Sequence, residues 1–433
     1  MSWMPKSPRG SREVLKAIHV TFYPPKLTLE IEQNGEIANH ELDLQSLDST
    51  TNLETLADQI IAEESSLKPK HRAKLIQTLE SMVKMQGIEY NTYVLARIIK
   101  AHEMPLTDCC FNKMGGLFAT ASNDKTCRIW DTLSGKELHC LMGHKQTVNV
   151  CCFNNPIGDL LGTGSADKTS KIWKVGTGEC LYTFTGHTDQ VINIKFENET
   201  KTFASSSSDH TVRLYDLTTG QFHTELLGHT DIVPHIEFSN DGEIILTGSF
   251  DNTVKLWDIR SGSEISSLNG HTDDIFAAHF DFPCNKVLSA SQDGTALIWD
   301  LRTNQAIAIM DGHGGGCTDA CWSADGNYIA TGAGDAVARI WDIDGKKLFD
   351  CRGHTGEINR VMFSPQSTRL LTASVDNSCK LWDTSTGLCV DTLKSHTNEI
   401  VCAAFNYSGK YIITASQDNT VIQWEASITD HRC

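Results

Sequence analysis

The sequence predicts an all-β fold: a closed propeller of eight four-stranded blades, carried behind a small N-terminal α/β domain. Three observations predict it. A His recurs every 41 to 43 residues, as His102, His144, His187, His229, His271, His313, His354 and His396. An aromatic residue follows each His by 28 residues, or by 29 in the second unit: Trp130, Trp173, Tyr215, Trp257, Trp299, Trp341, Trp382 and Trp424. An Asp stands six residues before each aromatic: Asp124, Asp167, Asp209, Asp251, Asp293, Asp335, Asp376 and Asp418. Three positions that coincide in eight successive units mark one supersecondary unit repeated eight times. Such units stack into a continuous body whatever the chain length.

In chain order, residues 1–15 hold Pro, Ser, Arg and Gly and are expected to lack structure. Residues 16–91 read as the small α/β domain. Ile18 to Phe22 and Leu27 to Ile31 alternate, with Pro24-Pro25 between them, and Asn34-Gly35 is a strong hairpin turn leading into Ile37 to Leu44. After Ser49-Thr50-Thr51 come two amphipathic helices, one with the stripe Leu53, Leu56, Ile60, Ile61 and one with Leu75, Ile76, Leu79, Met82, Val83. The domain is expected either to form a small packed core or to offer a second docking surface.

The propeller spans residues 92–426, followed by a tail at 427–433. Its Gly-His and Trp-Asp marks are the signature of WD repeats, which implies four strands per blade. Val191, Ile194 and Phe196 mark the first strand of repeat 3, and Ile358, Val361 and Phe363 that of repeat 7. A second strand such as Ile244 to Gly248, the Asp turn and a third strand such as Val254 to Trp257 follow. The fourth strand precedes the next His, as in Cys180 to Phe184. After Trp424 only nine residues remain, too few for another strand, whereas the apolar-rich run Tyr93 to Lys100 has no blade of its own. That run is therefore expected to complete the eighth blade and leave no open sheet edge.

Composition excludes several functions. A formal net charge of −17 argues against nucleic-acid binding, which needs a basic surface to neutralise phosphates. The 15 cysteines include no C-x-x-C spacing, and Cys109, Cys110, Cys151 and Cys152 sit in strand-like runs, so buried reduced thiols and a reducing cytosol are expected. No apolar stretch approaches membrane-spanning length, and the charged N-terminus is followed by no signal-peptide core. A soluble, cytoplasmic monomer without cofactor or metal is the expectation.

Recurring Ser, His and Asp tempt a catalytic reading, as His229, Ser249 and Asp251 beside Trp257 do in repeat 4. Eight copies favour a structural role instead. In each blade the His, a hydroxyl, the Asp and the aromatic are expected to form one hydrogen-bonded tetrad: His144, Ser165, Asp167 and Trp173; His229, Ser249, Asp251 and Trp257; His271, Ser291, Asp293 and Trp299. Repeat 6 has Ala333 at the Ser position and Val337 at the Thr position, so its blade is expected to lack a hydroxyl bond worth roughly 1 kcal/mol. Gly162 to Thr169 only hints at a phosphate loop, because Asp167 replaces its final Gly. No catalytic site is expected.

Binding then falls to the loop faces. The residue three after each His should lie at one rim: Pro105, Thr147, Gln190, Ile232, Asp274, Gly316, Glu357 and Glu399, with Asp189, Asp231 and Asp273 beside them. Gln190, Asp231, Asp274, Glu357 and Glu399 are the candidate partner-binding residues. Ordinary solvated turns are the competing account.

Phe22-Tyr23-Pro24-Pro25 with Leu27 and Leu29-Glu30, Lys100-Ala101-His102 with Pro105-Leu106-Thr107 and Phe111-Asn112-Lys113, and Phe153-Asn154-Asn155-Pro156 with Gly158-Asp159 resemble one family: the outer dynein arm assembly factor with WD repeats. The resemblance runs from about residue 18 to 424. Lys26, where that family tends to have Gly, and the extended N-terminus depart from it. It implies an adaptor that links outer-arm axonemal dynein to the intraflagellar transport machinery, acting in the cytoplasm, at the basal body and in the cilium or flagellum. Two rival classes are a ubiquitin-ligase substrate receptor and a signalling scaffold, though the latter usually has seven blades and a coiled-coil N-terminus.

Overall fold

The structure is a computed structural model and describes residues 14–22, 25–33, 36–44, 53–64, 66–86, 90 and 92–427. The chain divides into two compact units, 1–89 and 90–433.

In the first unit, β1 (Val14–Phe22), β2 (Pro25–Gln33) and β3 (Glu36–Asp43) form an antiparallel meander in the order β1-β2-β3. Strand β1 begins at Val14, inside the segment expected to lack structure; the rest of that segment, the Asn34-Gly35 turn and Ser49-Thr50-Thr51 lie outside the described residues. Helices α1 (Leu53–Glu63) and α2 (Arg72–Gln86) follow. Alternation sends Leu27, Leu29 and Ile31 to one face of β2, where they meet Ala57 and Ile60 of α1 and Leu75, Leu79 and Met82 of α2 in one buried core. Arg72 braces the helix pair through a two-pronged contact with Asp58.

In the second unit, eight four-stranded antiparallel sheets follow one another along the chain, each running from an inner to an outer strand. The inner strands are Leu106–Phe111, Val148–Phe153, Val191–Phe196, His235–Phe238, Ile275–Phe280, Cys317–Trp322, Ile358–Phe363 and Ile400–Phe405. The spacing of their apolar residues departs from strict alternation for a reason. Val191 opposes Ser207 but Asn193 opposes Ser206, so the inner strand carries an extra residue there. The same shift recurs in six other blades. Such a bulge turns the following residues by one position and adds twist.

Neighbouring blades share their cores. Leu246, Val254 and Leu268 of blade 4 pack against Ile275, Ala278 and Val287 of blade 5. The penultimate residue of each second strand, or the equivalent position, is small: Ala121, Gly164, Ser206, Gly248, Ala290, Gly332, Ala373 and Ala415. A Cβ on Gly164 would come within 2.8 Å of Val191 Cγ1 on the next blade, so bulk there would push the blades apart.

Strand β4 (Thr92–Lys100) is the outer strand of the eighth sheet and pairs antiparallel with Thr420–Ser427, from Thr92 opposite Ser427 to Lys100 opposite Thr420. Blade 8 meets blade 1 in a core of Cys402, Ala404, Ile413, Ala415 and Val421 against Leu106, Cys109, Phe118 and Trp130. Tyr93 adds bonds from its amide to Asp391 (2.9 Å) and from its hydroxyl to the Gly409 carbonyl (2.5 Å). No helix among the described residues is long and apolar enough to cross a membrane.

Candidate functional site

Each blade contains a polar tetrad, but its hydroxyl is not the one the sequence pointed to. In blade 4, Thr247 Oγ1 lies 2.6 Å from His229 Nε2 and accepts the Trp257 indole N–H at 2.9 Å, while His229 Nδ1 meets Asp251 at 2.7 Å. Thr163 replaces Ser165 in the same way in blade 2, and Ser289 replaces Ser291 in blade 5. Register explains the correction. Trp173 sits opposite Leu161, so Thr163 is its diagonal neighbour, whereas Ser165 lies one step further along the same face. Ser165, Ser249 and Ser291 instead close the Asp turn: each accepts the Asp amide and donates to a carbonyl at the entry to the inner strand. The expected His, Asp and Trp members all take part.

Blade 6 does lack the hydroxyl bonds of the Ala333 and Val337 positions, but they are not the tetrad's. Its tetrad hydroxyl is present as Thr331, 2.8 Å from His313 Nε2 and 2.9 Å from the Trp341 indole nitrogen. Ala333 and Val337 remove only turn bonds, and the buried Arg339 guanidinium fills the space, donating to Asp335 at 2.9 Å and contacting His313. In blade 3 the substitute Tyr215 is buried and stacks on Phe184, with ring centroids 4.1 Å apart.

The electrostatics suit staples. Burial lowers the pKa of His102, His144, His271, His354 and His396, with the paired Asp opposing it. For His313, burial and then the Arg339 charge bring it down to about 4. Burial alone would raise the Asp carboxyls, but hydrogen bonds from Thr295, the Thr272 amide and His271 bring Asp293 down to about 2. A buried imidazole held between a hydroxyl and a carboxylate, with an indole closing the chain, satisfies the polar groups of the tetrad.

The eight rim residues prove equivalent. The carbonyls of Pro105, Thr147, Gln190, Ile232, Asp274, Gly316, Glu357 and Glu399 each accept an amide one or two residues past the second strand of their own blade, at 2.7 to 3.0 Å. Their backbones are thus fixed while their side chains differ. Gln190, Asp231 and Glu357 are exposed, and Asp274 and Glu399 half-buried. One Asp231 oxygen accepts the Ile232 amide at 2.7 Å and so has a structural task. Asp274, Glu357, Glu399 and Gln190 make no side-chain hydrogen bond among the described residues. Burial, then the charges of Asp273 and Asp231, raises the Asp274 pKa, as repulsion between carboxylates does. Phe250 and Phe276 meet edge to face nearby in the chain, 5.3 Å apart.

The inner strands carry a second polar set that the sequence reading missed. Asp108 accepts the amides of Cys109 and, in the next blade, Cys151, at 2.8 and 3.0 Å. Asp319 does the same with Ala320 and Val361. Asn149, Asn193 and Asn359 each donate to a carbonyl of the following blade at 2.8 to 3.0 Å. These residues stitch blade to blade. Their signal was a polar residue at the second or third position of an otherwise apolar strand. His235, Glu237 and His279 also come together on neighbouring inner strands and could hold a metal ion.

The propeller has recognisable relatives. The family model described as nucleolar protein 10-like, N-terminal domain, matches residues 188–424, and the WD domain, G-beta repeat, matches residues 93–131 and 135–174. Dynein assembly factor with WD repeat domains 1 of Mus musculus is 39% identical over 143 residues, 32% of this chain and 34% of that protein. The Homo sapiens protein of that name is 38% identical over 141 residues, again 32% of this chain and 34% of that protein. The match thus spans about a third of the length of these curated relatives. Among solved structures, the computationally designed Ika8 protein superposes with a TM-score of 0.68 at 29% identity, over 76% of this chain and 98% of its own.

Proposed function

The chain belongs to the β-propeller family described as nucleolar protein 10-like, N-terminal domain, and from that premise we propose that it is a non-catalytic adaptor serving dynein assembly. The family model describes the propeller; the relatives at 38–39% identity, named dynein assembly factors, supply the process. The observation that carries an adaptor rather than an enzyme is the use of the recurring His, hydroxyl and Asp groups as buried staples, with rim side chains left free on a fixed backbone.

The finer reading follows the family resemblance. The cargo is axonemal outer-arm dynein, and the adaptor hands it to the intraflagellar transport machinery, acting in the cytoplasm, at the basal body and in the cilium or flagellum. The rim near Asp231, Asp274, Glu357 and Glu399 is the proposed contact. Crowded carboxylates repel one another, and a basic partner segment relieves that repulsion, which favours both specificity and fast association. Aromatic side chains beside the acids suit the centre of such an interface.

Affinity purification of the full chain from ciliated cells tests the proposal. Dynein-arm and transport-train subunits should be recovered with the wild-type chain. They should be depleted when Asp274, Glu357 and Glu399 are changed to Lys, with melting temperature unchanged. Recovery of neither class of subunit overturns the adaptor reading. Equal recovery with the triple variant overturns the rim site alone.

A further inference from the structure

His235 and Glu237 stand two residues apart on the inner strand of blade 4, and such residues share one face. His279 lies on the adjacent inner strand, in blade 5, 42 residues after Glu237 and therefore at the equivalent repeat position. Glu237 Oε2 is 2.7 Å from His279 Nδ1 and 3.7 Å from His235 Nε2. The imidazole rings meet edge to face with centroids 4.5 Å apart. One donor atom from each residue lies within 4.8 Å of the others.

Two features set this cluster apart from the staples. A staple His has both ring nitrogens engaged, by an Asp and by a hydroxyl. The Nε2 of His235 is buried and has no hydrogen-bond partner, although it points toward the Glu237 carboxylate. The residue itself is only 7% exposed. A buried polar atom without a partner carries a desolvation cost that its surroundings normally relieve. The cluster also breaks the pattern of its ring. The position shared by Glu237 and His279 holds Cys110, Cys152, Lys195, Cys321, Met362 and Ala404 in the other blades, so nothing in the repeat requires a His or a Glu there; His235 takes the position that Asp108, Asn193 and Asp319 hold in blades 1, 3 and 6.

We propose that His235, Glu237 and His279 form a site for one divalent transition metal ion, with Zn²⁺ the cation best matched to the donors. Two imidazoles and one carboxylate are a recurrent three-ligand set for zinc, with water in the fourth position. Magnesium and calcium favour oxygen-rich shells, which this cluster does not provide. Zinc held at about 2.0–2.2 Å by each ligand draws donor atoms to roughly 3.3 Å from one another. Glu237 and His279, now 2.7 Å apart, must open by about half an ångström, while the wider donor pairs, 3.7 Å and at most 4.8 Å apart, close by up to about 1.5 Å, which side-chain rotation supplies. Lys195, on the inner strand of blade 3, is the cation close enough to act on His235, and its charge works against a metal. It reduces affinity without occupying a donor position, because an ammonium on a four-carbon stem can turn toward solvent. The metal would tie blade 4 to blade 5 through stitching built from imidazoles and a carboxylate.

The test uses the full chain stripped with a chelator and titrated with Zn²⁺ alone, read by calorimetry and by metal analysis after gel filtration. The wild-type protein should retain one more Zn²⁺ per chain than either His279→Ala or Glu237→Gln, and its melting temperature should rise on zinc addition. Each variant should bind at this site at least tenfold more weakly. His279 is a quarter exposed, so its removal leaves the surrounding core in place. Glu237→Gln keeps the side-chain volume as a second arm should His279→Ala fold poorly. Cobalt(II) substitution adds a direct readout, because visible absorption reports imidazole and carboxylate ligation. Zinc uptake that is absent in the wild type, or equal in folded wild type and variants, overturns the site.

Discussion

The Arg97 guanidinium donates to the Leu133 carbonyl at 2.6 Å, so a side chain on the strand that finishes blade 8 grips the outer hairpin of blade 1. The same guanidinium reaches Gln423 at 3.0 Å, and Gln423 in turn donates to the Thr132 carbonyl at 2.8 Å. Gly135 in that hairpin has a φ of +67°, and a Cβ there would come within 2.7 Å of Arg97 Cδ. Glycine thus allows both the turn and the close approach.

Arg97→Ala should therefore lower stability by about 2 kcal/mol, the range for hydrogen bonds made by a charged donor. Urea unfolding measures it. Removing residues 92–101 altogether should leave blade 8 with an open edge and cause aggregation. A soluble deletion variant with a sharp melting transition contradicts closure by this strand.

Thr247→Val keeps the shape of the side chain but strips the partner from His229 Nε2 and from the Trp257 indole, both buried. Two orphaned polar groups should cost about 2 kcal/mol or more. Ser249 is as buried as Thr247, but Ser249→Ala removes turn bonds whose partners, the Asp251 amide and the Ile232 carbonyl, belong to half-buried residues, and should cost about 1 kcal/mol. Equal losses in denaturant titrations would return the tetrad hydroxyl to Ser249.

Acid should destabilise the propeller in two windows. His102, His144, His271, His313, His354 and His396 have folded pKa values below their ordinary 6.5, so the unfolded chain binds more protons below that pH and stability falls as pH drops through 6.5. The staple Asp residues, including Asp293, Asp335 and Asp376 at about 2, contribute stability that is present above 3.8 and lost as pH falls through their folded values. Denaturant midpoints between pH 7.5 and 4.5 should decline steadily. His313→Asn should flatten part of that slope, since His313 is held near 4. A midpoint that rises on acidification reverses the predicted sign.

Ala336 follows the Asp of the blade 6 turn with φ +61°, a conformation in which its Cβ is crowded. The equivalent residue of blade 5 is Gly294 at φ +79°. Ala336→Gly should raise stability by about 0.5–1 kcal/mol, as relief of the left-handed strain outweighs the added freedom of the unfolded chain. Thermal melting measures the gain, and an unchanged or lower melting temperature counts against it.

Blade number was legible because the staple recurs: His, Asp and an aromatic must each return to one place in every blade, and spacing exposes that. The tetrad hydroxyl was misplaced because Thr247 and Ser249 point to the same face of one strand, and distance along the chain to Asp251 favours the wrong one. Only the pairing of Ile245 with Trp257 decides between them. The inner-strand residues went unread for the opposite reason. Asp108, Asn193 and Asp319 share one repeat position, but the other blades fill it with Val150, His235, Ala277, Arg360 and Cys402, so an eightfold period passes over them. Their roles depend on which residue the neighbouring blade presents, and that is a property of the assembled ring.

Closure by β4 has a consequence for synthesis. Thr92 meets Ser427, 335 residues further along the chain. A ribosome adding roughly 5–20 residues per second leaves that first strand waiting on the order of half a minute for its mate. Val94, Leu95 and Ile98 stand on it, each about half exposed even in the finished ring. Until the last strand has emerged, the edge of β4 that will pair with it stays open. A product that stops before Thr420 leaves that edge unpaired for good, and an unpaired strand edge is a template for association with other chains.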